Sequence, residues 1–274
     1  MKIKHNNGRK SDNGYIYIAS LKSFYYHLAV YSANTLKDYY PDAHVTLFTH
    51  ENFLDKSSDV FDNIVTEIPI YYRSKMWCMA RTPYKNTLYI DADSYIAHKD
   101  IKIAFDELND CDMYFGPVKP YTTADIAWAY IDKAMTIMPQ YHGAVCGYKS
   151  TELTLDFMQT WYDEYIKQVS EPWPYTFADP KWKVFDMFVL WRMTSGRFSE
   201  FDRFNDLKIK QVSDRYTVTA QHIPSDKKSP IIHLVDSHTF KRISGFQHII
   251  DESIHHGIYP SKKYPINKAP EQYN

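Results

Sequence analysis

Asn86-Thr-Leu-Tyr-Ile-Asp-Ala-Asp93 is the stretch on which the fold turns. An apolar run passes directly into two carboxylates, the pattern of a buried strand that ends in acid. On an extended backbone, residues i and i+2 project from the same face, so Asp91 and Asp93 can converge on one point just beyond the strand. In open α/β sheets, ligands gather at the carboxyl ends of strands.

Working outward, Tyr15 to Ser20, His44 to Thr49 and Asn63 to Ile68 are short β-branched and aromatic runs that read as strands. Between them, Phe24 to Tyr40 suits a helix through Leu28, Tyr31 and Leu36 with small Ala29 and Ala33, and Pro41 follows its end. Ser74 to Arg81 reads as a short helix stopped by Pro83. Strands alternating with helices over the first hundred residues predict a mainly parallel central sheet flanked by helices. Downstream, 112–116 and 144–148 read as strands, Glu152 to Gln168 as a helix, and Ile231 to Val235 as a late buried strand. Residues 170–183, with Trp173, Trp182 and three prolines, read as an aromatic loop.

No linker divides the chain, so a single α/β domain is expected over 15–258, after a flexible N-terminus at 1–14 and before an extended or disordered tail at 259–274. The 32 basic and 33 acidic residues nearly cancel, which removes a long-range field that would steer the protein onto nucleic acid or a membrane. Three widely spaced cysteines argue against a disulfide framework or a Cys-based zinc site and read as reduced, buried thiols. The first residues have no apolar core, and no stretch of about 18 apolar residues exists to span a bilayer. A cytoplasmic protein is the expectation. Tyrosine is common at 24 residues and glycine scarce at 8, a bias that flat ligand-contacting rings and AT-rich coding explain equally well.

The oxygen ligands of the acidic pair favour Mg²⁺ or Mn²⁺, which nucleotide enzymes hold with one or two carboxylates plus substrate phosphates. A cation there would neutralise charge developing on a phosphate leaving group. Such chemistry serves nucleotidyltransferases and phosphoesterases as well as sugar transfer from a nucleotide diphosphate.

Four segments in order carry a resemblance to a known family: Tyr15 to Leu36, Lys75 to Asp93, Tyr141 to Val145 with Phe185-Asp186-Met187 beyond it, and Pro230 to Leu234 followed by Lys241. Together they resemble the glycogenin-like and lipopolysaccharide galactosyltransferase type of GT-A glycosyltransferase, a Rossmann-like fold. The resemblance implies a hexosyl- or pentosyltransferase that takes a nucleotide-sugar donor, a UDP-sugar by the family pattern, and transfers with retention. By the same resemblance Asp91, Asp93 and His233 would be metal ligands for Mn²⁺ or Mg²⁺, with His238 competing for the third place. Ala19 and Ser20 would offer backbone contacts to the base and Tyr25 would stack on it. Lys75, sixteen residues before Asp91, or alternatively Arg81, would reach the donor phosphates, and Lys241 would hold the diphosphate. Ala92, His142 and Gly143 would belong to the donor-binding set.

Asp125 and Asp186 are the polar candidates for base or nucleophile, with no ranking between them. Two departures from the family stand out: His142 breaks the Asn-Ser-Gly pattern usual in this segment, and Met187 replaces a glutamine. They motivate a contrary reading, a nucleotide-sugar-binding protein that has lost turnover. For the acceptor, Trp173, Trp182 and Trp191 offer rings for a glycan, a protein, a small molecule or a modified nucleic acid base.

Overall fold

The computed structural model describes residues 2–5, 11–20, 23–70, 73–96, 98–117, 141–176, 178, 180–211, 217–219 and 231–233. Their centre is an eight-stranded sheet in the order β1-β4-β3-β2-β5-β8-β7-β9. The strands are β1 (Lys2–His5), β2 (Asn13–Ile18), β3 (Val45–Phe48), β4 (Asn63–Thr66), β5 (Asn86–Ile90), β7 (Met113–Pro117), β8 (Tyr141–Lys149) and β9 (Ile209–Gln211). β4, β3, β2 and β5 run parallel, as does β9 beside β7, whereas β1 and β8 run against their neighbours. The expected parallel sheet is thus the β4-β3-β2-β5 core, flanked by antiparallel β1 at one edge and continued through antiparallel β8 on the other side.

β5 lies inside the sheet and is buried on both faces, which is why its sequence shows no polar alternation. Leu88 and Ile90 pack with Tyr15 and Tyr17 of β2 on one face, while Tyr89 packs with Ile16 and Ile18 on the other. Each such aliphatic side chain contributes roughly 1.5–3 kcal/mol through burial. The first face is covered by α1 (Ser23–Tyr39). Its fully buried apolar residues are Tyr26, Ala29, Ala33 and Leu36, joined by polar Ser32 and Thr35, and the expected Leu28 is only half-buried. The two alanines therefore let the helix approach the sheet closely.

The second face is covered by α2 (Lys75–Met79) and α3 (Glu152–Ser170). Thr151 caps α3: its hydroxyl accepts from the Thr154 amide at 3.2 Å, and Thr154 Oγ1 accepts from the Thr151 amide at 2.9 Å. This reciprocal arrangement satisfies two backbone donors that a helix start leaves open. Phe157, Met158, Trp161 and Tyr165 then line the buried stripe.

Several elements depart from expectation, among them three near the site and the sheet edge. Lys2–His5, placed by the sequence in a flexible N-terminus, pairs antiparallel with Asn63–Thr66 and forms the sheet edge. Tyr141 and His142, outside the strand expected at 144–148, are part of β8, with a register shift between Phe115 and Gly116 opposite them. A further helix, α4 (Asp186–Thr194), was not foreseen.

The acidic turn joins the main sheet to a small one. β6 (Ser94–Ile96) follows Asp93 directly and pairs antiparallel with β11 (Ile231–His233), which in turn pairs with β10 (Thr217–Thr219). No helix among the described residues is long and apolar enough to cross a membrane. The three cysteines are free and buried.

Candidate active site

Asp91 leaves β5 with its amide still tied to the sheet, donating to the Ala144 carbonyl oxygen at 2.8 Å. Two residues earlier and on the same face, the buried Tyr89 hydroxyl donates to Asp91 Oδ1. Burial is the first cause that pushes the Tyr89 pKa well above the usual phenol value, and the negative charges of Asp91, Asp93 and Asp186 add to it. Tyr89 is therefore a fixed proton donor to the first carboxylate. Its environment also shows that all three acids lie within electrostatic reach of one point.

Lys75, at the start of α2, is a cation shared by two of them, Asp91 and Asp186. Its Nζ donates to the Gly143 carbonyl oxygen of β8 at 2.9 Å, and stands 3.5 Å from Asp186 Oδ2 and 3.9 Å from Asp91 Oδ1. Asp186 opens α4, whose first turn favours a negative charge. Its backbone carbonyl accepts from Trp161 Nε1 at 2.9 Å, which ties α4 to α3. Asp186 is 2 % exposed. Burial alone would raise its pKa, but Arg73 and Lys75 hold the carboxyl below the usual carboxylate range. It is ionised and paired, which does not suit a proton-transferring base near neutral pH.

Gly143 is closely approached by this packing. A Cβ there would stand 3.1 Å from Lys75 Nζ and 3.6 Å from both Met187 Sδ and the Trp161 ring. Gly143→Ala is expected to leave the melting temperature nearly unchanged, because the closest atom is the end of a flexible side chain. Shifting the Lys75 ammonium by a few tenths of an ångström should still weaken donor affinity, by up to about tenfold, the ~1.5 kcal/mol scale of a misplaced bond to a charged group. Calorimetric titration beside a denaturation curve separates the two effects, and an unchanged affinity would defeat the expectation.

Asp91, Lys75, Gly143 and Asp186 are brought together from four different elements. Asp93 is half-buried in the turn that follows, and Ala92 and Ser20 are buried. His233 has its backbone paired with Ser94, directly after Asp93, which sets the β11 chain beside the acidic turn. The side chains of His142 and His233, and the whole of Asp125, His238 and Lys241, lie outside the described residues. Among the described residues, no group of three or more His, Cys, Asp or Glu side chains is arranged to hold a metal ion.

Other expected residues are placed elsewhere. Arg81 Nη1 donates to the Trp77 carbonyl at 2.9 Å and to Gln159 Oε1 at 2.7 Å, and its guanidinium lies over the Trp77 ring. α2 ends at Met79, so Arg81 sits in the following turn and meets α3 rather than the acids. The Ala19 amide donates to the Phe48 carbonyl at 2.8 Å and its own carbonyl accepts from Thr49 Oγ1 at 3.0 Å. Its N–H is thus committed to the sheet and not to a nucleotide base. Tyr25 is half-buried against the α1-side core.

Trp182 and Trp191, each 4 % exposed, pack with Phe188 and the half-buried Trp173 in an aromatic cluster. They stabilise the loop and α4, and the expectation that they present open rings to an acceptor is corrected. Two residues were missed in the sequence. Tyr89 was recoverable from the two-residue strand period, and Arg73, whose Nε is 3.3 Å from Asp186 Oδ1, had only its closeness to Lys75 as a signal.

An eight-stranded sheet with an Asp-Ala-Asp turn at the end of an inner strand, tied to a second small sheet, is the GT-A architecture. No family model matches the chain, and no curated protein matches it in sequence. Solved structures do match in fold. The glycosyltransferase GlyE of Streptococcus pneumoniae TIGR4 aligns with TM-score 0.55 at 11% identity, over 92% of this chain and 66% of GlyE. The galactosyltransferase LgtC, solved with donor and acceptor sugar analogues, aligns with TM-score 0.53 at 10% identity over 93% of this chain and 98% of its own. A glycosyltransferase involved in glycosylation of the major capsid of PBCV-1 aligns with TM-score 0.52 at 11% identity, over 88% of this chain and all of its own, 100%. At these identities the likeness establishes the fold.

Proposed function

We propose that the chain is a glycosyltransferase that moves a hexosyl or pentosyl group from a nucleotide-diphosphate sugar, a UDP-sugar, to a glycan, protein or small-molecule acceptor with retention of configuration. The observation that carries this reading is the Lys75 ammonium held between Asp91, Asp186 and the Gly143 carbonyl at the carboxyl end of β5. Ligands collect at that edge of an α/β sheet. The GT-A fold of the neighbours supports the same reading.

Asp91 and Asp93, with His233 as third ligand, are the residues that would hold Mn²⁺ or Mg²⁺. The fit is chemical: two carboxylates supply hard oxygens on one turn, and three acids concentrate negative charge near the Tyr89 hydroxyl. Bound there, such a cation supplies neutralisation of charge on the diphosphate leaving group.

The chain's own groups do the rest. Tyr89 fixes the orientation of Asp91 through its hydroxyl. Lys75 and Lys241 offer positive charge to the departing diphosphate, and Asp186, ionised and rigid at the start of α4, accepts hydroxyl hydrogens of the donor sugar. Ser20, Tyr25, Ala92 and the 142–143 segment complete the donor cleft. Catalysis then rests on positioning and leaving-group stabilisation. The transferase unit spans 15–258, with Lys2–His5 adding an edge strand. Free, buried thiols support a reducing, cytoplasmic setting.

A thermal-shift screen of nucleotide sugars with Mn²⁺ tests the reading, because a ligand that binds only the folded state raises the melting temperature. A UDP-sugar is expected to give the largest shift, followed by release of UDP and a product of unchanged anomeric configuration. Release of pyrophosphate would mean nucleotidyl transfer, and binding without any diphosphate release would mean a protein that has lost turnover.

A further inference from the structure

Three side chains of α3 reach one stretch of chain beyond it. Trp161, Tyr165 and Gln168 stand at i, i+4 and i+7, the spacing of a single helix face. Trp161 Nε1 donates to the Asp186 carbonyl at 2.9 Å, and the Tyr165 hydroxyl donates to the Val184 carbonyl at 3.0 Å. Gln168 Nε2 donates to the carbonyls of Lys183 at 2.9 Å, Phe185 at 3.1 Å and Trp182 at 3.3 Å. Every carbonyl from Trp182 to Asp186 is thus held from α3. This is the segment that delivers the buried Asp186 carboxylate to the first turn of α4.

Gln168 is the member of this set that packing alone does not explain. It is 6 % exposed, and its Oε1 is buried without a hydrogen-bond partner. An unpaired buried acceptor is costly, and a methionine would fill similar space without it. Turning the amide over would aim its oxygen at carbonyl oxygens, so the network requires the nitrogen to face them. What the amide supplies, and an apolar side chain cannot, is donation to the chain that enters Asp186. Phe185, at the helix boundary, offers α4 no side-chain cap, which leaves that entry path to be set from α3.

We propose that Gln168 is a positioning residue that sets the path of 182–186, so that Asp186 meets the donor sugar in a fixed place and the protein distinguishes a sugar nucleotide from the bare nucleotide. The inference rests on the reading of Asp186 as acceptor of donor-sugar hydroxyls. The Gln168 amide bonds backbone carbonyls and not the Asp186 carboxylate, so it acts through the path of the chain. A carboxylate held 3.3 Å from Arg73 Nε and 3.5 Å from Lys75 Nζ loses alignment when its own segment drifts. In the same reading the diphosphate lies on the Asp91 side of Lys75, so the drift falls mainly on the sugar.

The experiment titrates UDP, UDP-glucose, UDP-galactose and UDP-N-acetylglucosamine, each with Mn²⁺, into the full chain and its variants by calorimetry. In Gln168→Met, UDP affinity is expected to stay near the wild-type value while the affinity of the sugar nucleotide relative to UDP falls about tenfold, the scale of one hydrogen bond to an ionised group. Tyr165→Phe, which removes one donor and keeps the ring, should move the same ratio in the same direction by a smaller factor. Gln168→Glu should match Gln168→Met at alkaline pH, where the carboxylate only accepts. Relative to wild type at the same pH, it should recover on acidification as the protonated acid regains a donor. Equal losses for UDP and the sugar nucleotides, or a ratio that does not move, would overturn the proposal. In ligand-free urea denaturation, the Gln168→Met/Asp186→Asn double variant should lose less than the sum of the single losses, and additive losses would also overturn it. A wild-type chain that binds none of these sugar nucleotides defeats the nucleotide-sugar reading instead, and the ligand-free cycle still decides whether Gln168 acts on Asp186.

Discussion

Asp91→Asn is expected to lower donor turnover by on the order of 10³-fold, corresponding to the several kcal/mol that a cation contributes to charge stabilisation at a leaving group. The substitution keeps the shape of the side chain and its place at the end of β5, where the backbone amide remains tied to Ala144. It removes the negative charge that faces the Lys75 ammonium and replaces one hard oxygen ligand by an amide nitrogen, while the remaining oxygen can still accept from the Tyr89 hydroxyl. The loss should therefore fall on chemistry and on cation affinity while the fold persists.

A second readout is independent of turnover: the rise in melting temperature on adding Mn²⁺ with UDP should disappear in Asp91→Asn. Wild-type turnover that survives excess chelator would sink the cation part of the reading. It would leave Lys75 and Asp186 as the centre of the site.

What the sequence disclosed, and what it hid, follows from where each signal lies. β5 was legible because a doubly buried strand is an uninterrupted apolar run, and because its acid end falls at a fixed place in such sheets. The helix Asp186–Thr194 was not. Phe188, Val189, Leu190, Trp191, Arg192 and Met193 are all buried in succession, so the helix has no polar face and leaves no 3.6-residue pattern. The same burial explains the error over the tryptophans, since composition identified aromatic rings but not that Trp182 and Trp191 face Phe188 rather than solvent.

Long-range pairing is the other hidden quantity. Lys75 and Asp91 were linked by their spacing around a short helix, but nothing local joins Arg73 or Lys75 to Asp186. Their meeting depends on α2 and α4 both packing against β8 and α3, where Gly143 and Trp161 supply the contacts. Arg81 shows the converse. Its position in sequence was close to that of Lys75, yet two turn residues beyond α2 were enough to carry it to Gln159.

Lys75→Met carries the largest expected effect on stability, a loss of about 3 kcal/mol near neutral pH, the scale of breaking a buried ion pair by removing one partner. Methionine is close in length and matches the aliphatic stem, so the packing of residue 75 beside the Tyr89 ring is largely kept. The charge is what is lost. Lys75 is 11 % exposed and Asp186 3 % exposed by side chain, so solvent screens the pair little. Asp186 would keep Arg73 alone, and the Gly143 carbonyl would lose its donor.

The pH dependence fixes the cause. In the wild-type chain the folded Asp186 pKa is below the ordinary value of 3.8, so its pairing stabilises the fold above that value and the stabilisation is lost as pH falls through the folded pKa. In Lys75→Met the burial effect on Asp186 is opposed by only one cation, and its folded pKa moves up. The stability gap between the two proteins should therefore be full at neutral pH and close as acidification protonates Asp186 in the variant. Urea denaturation of both proteins at neutral and acidic pH measures this directly. A gap that stays constant with pH would assign the loss to packing and not to the charge that Lys75 shares between Asp186 and Asp91.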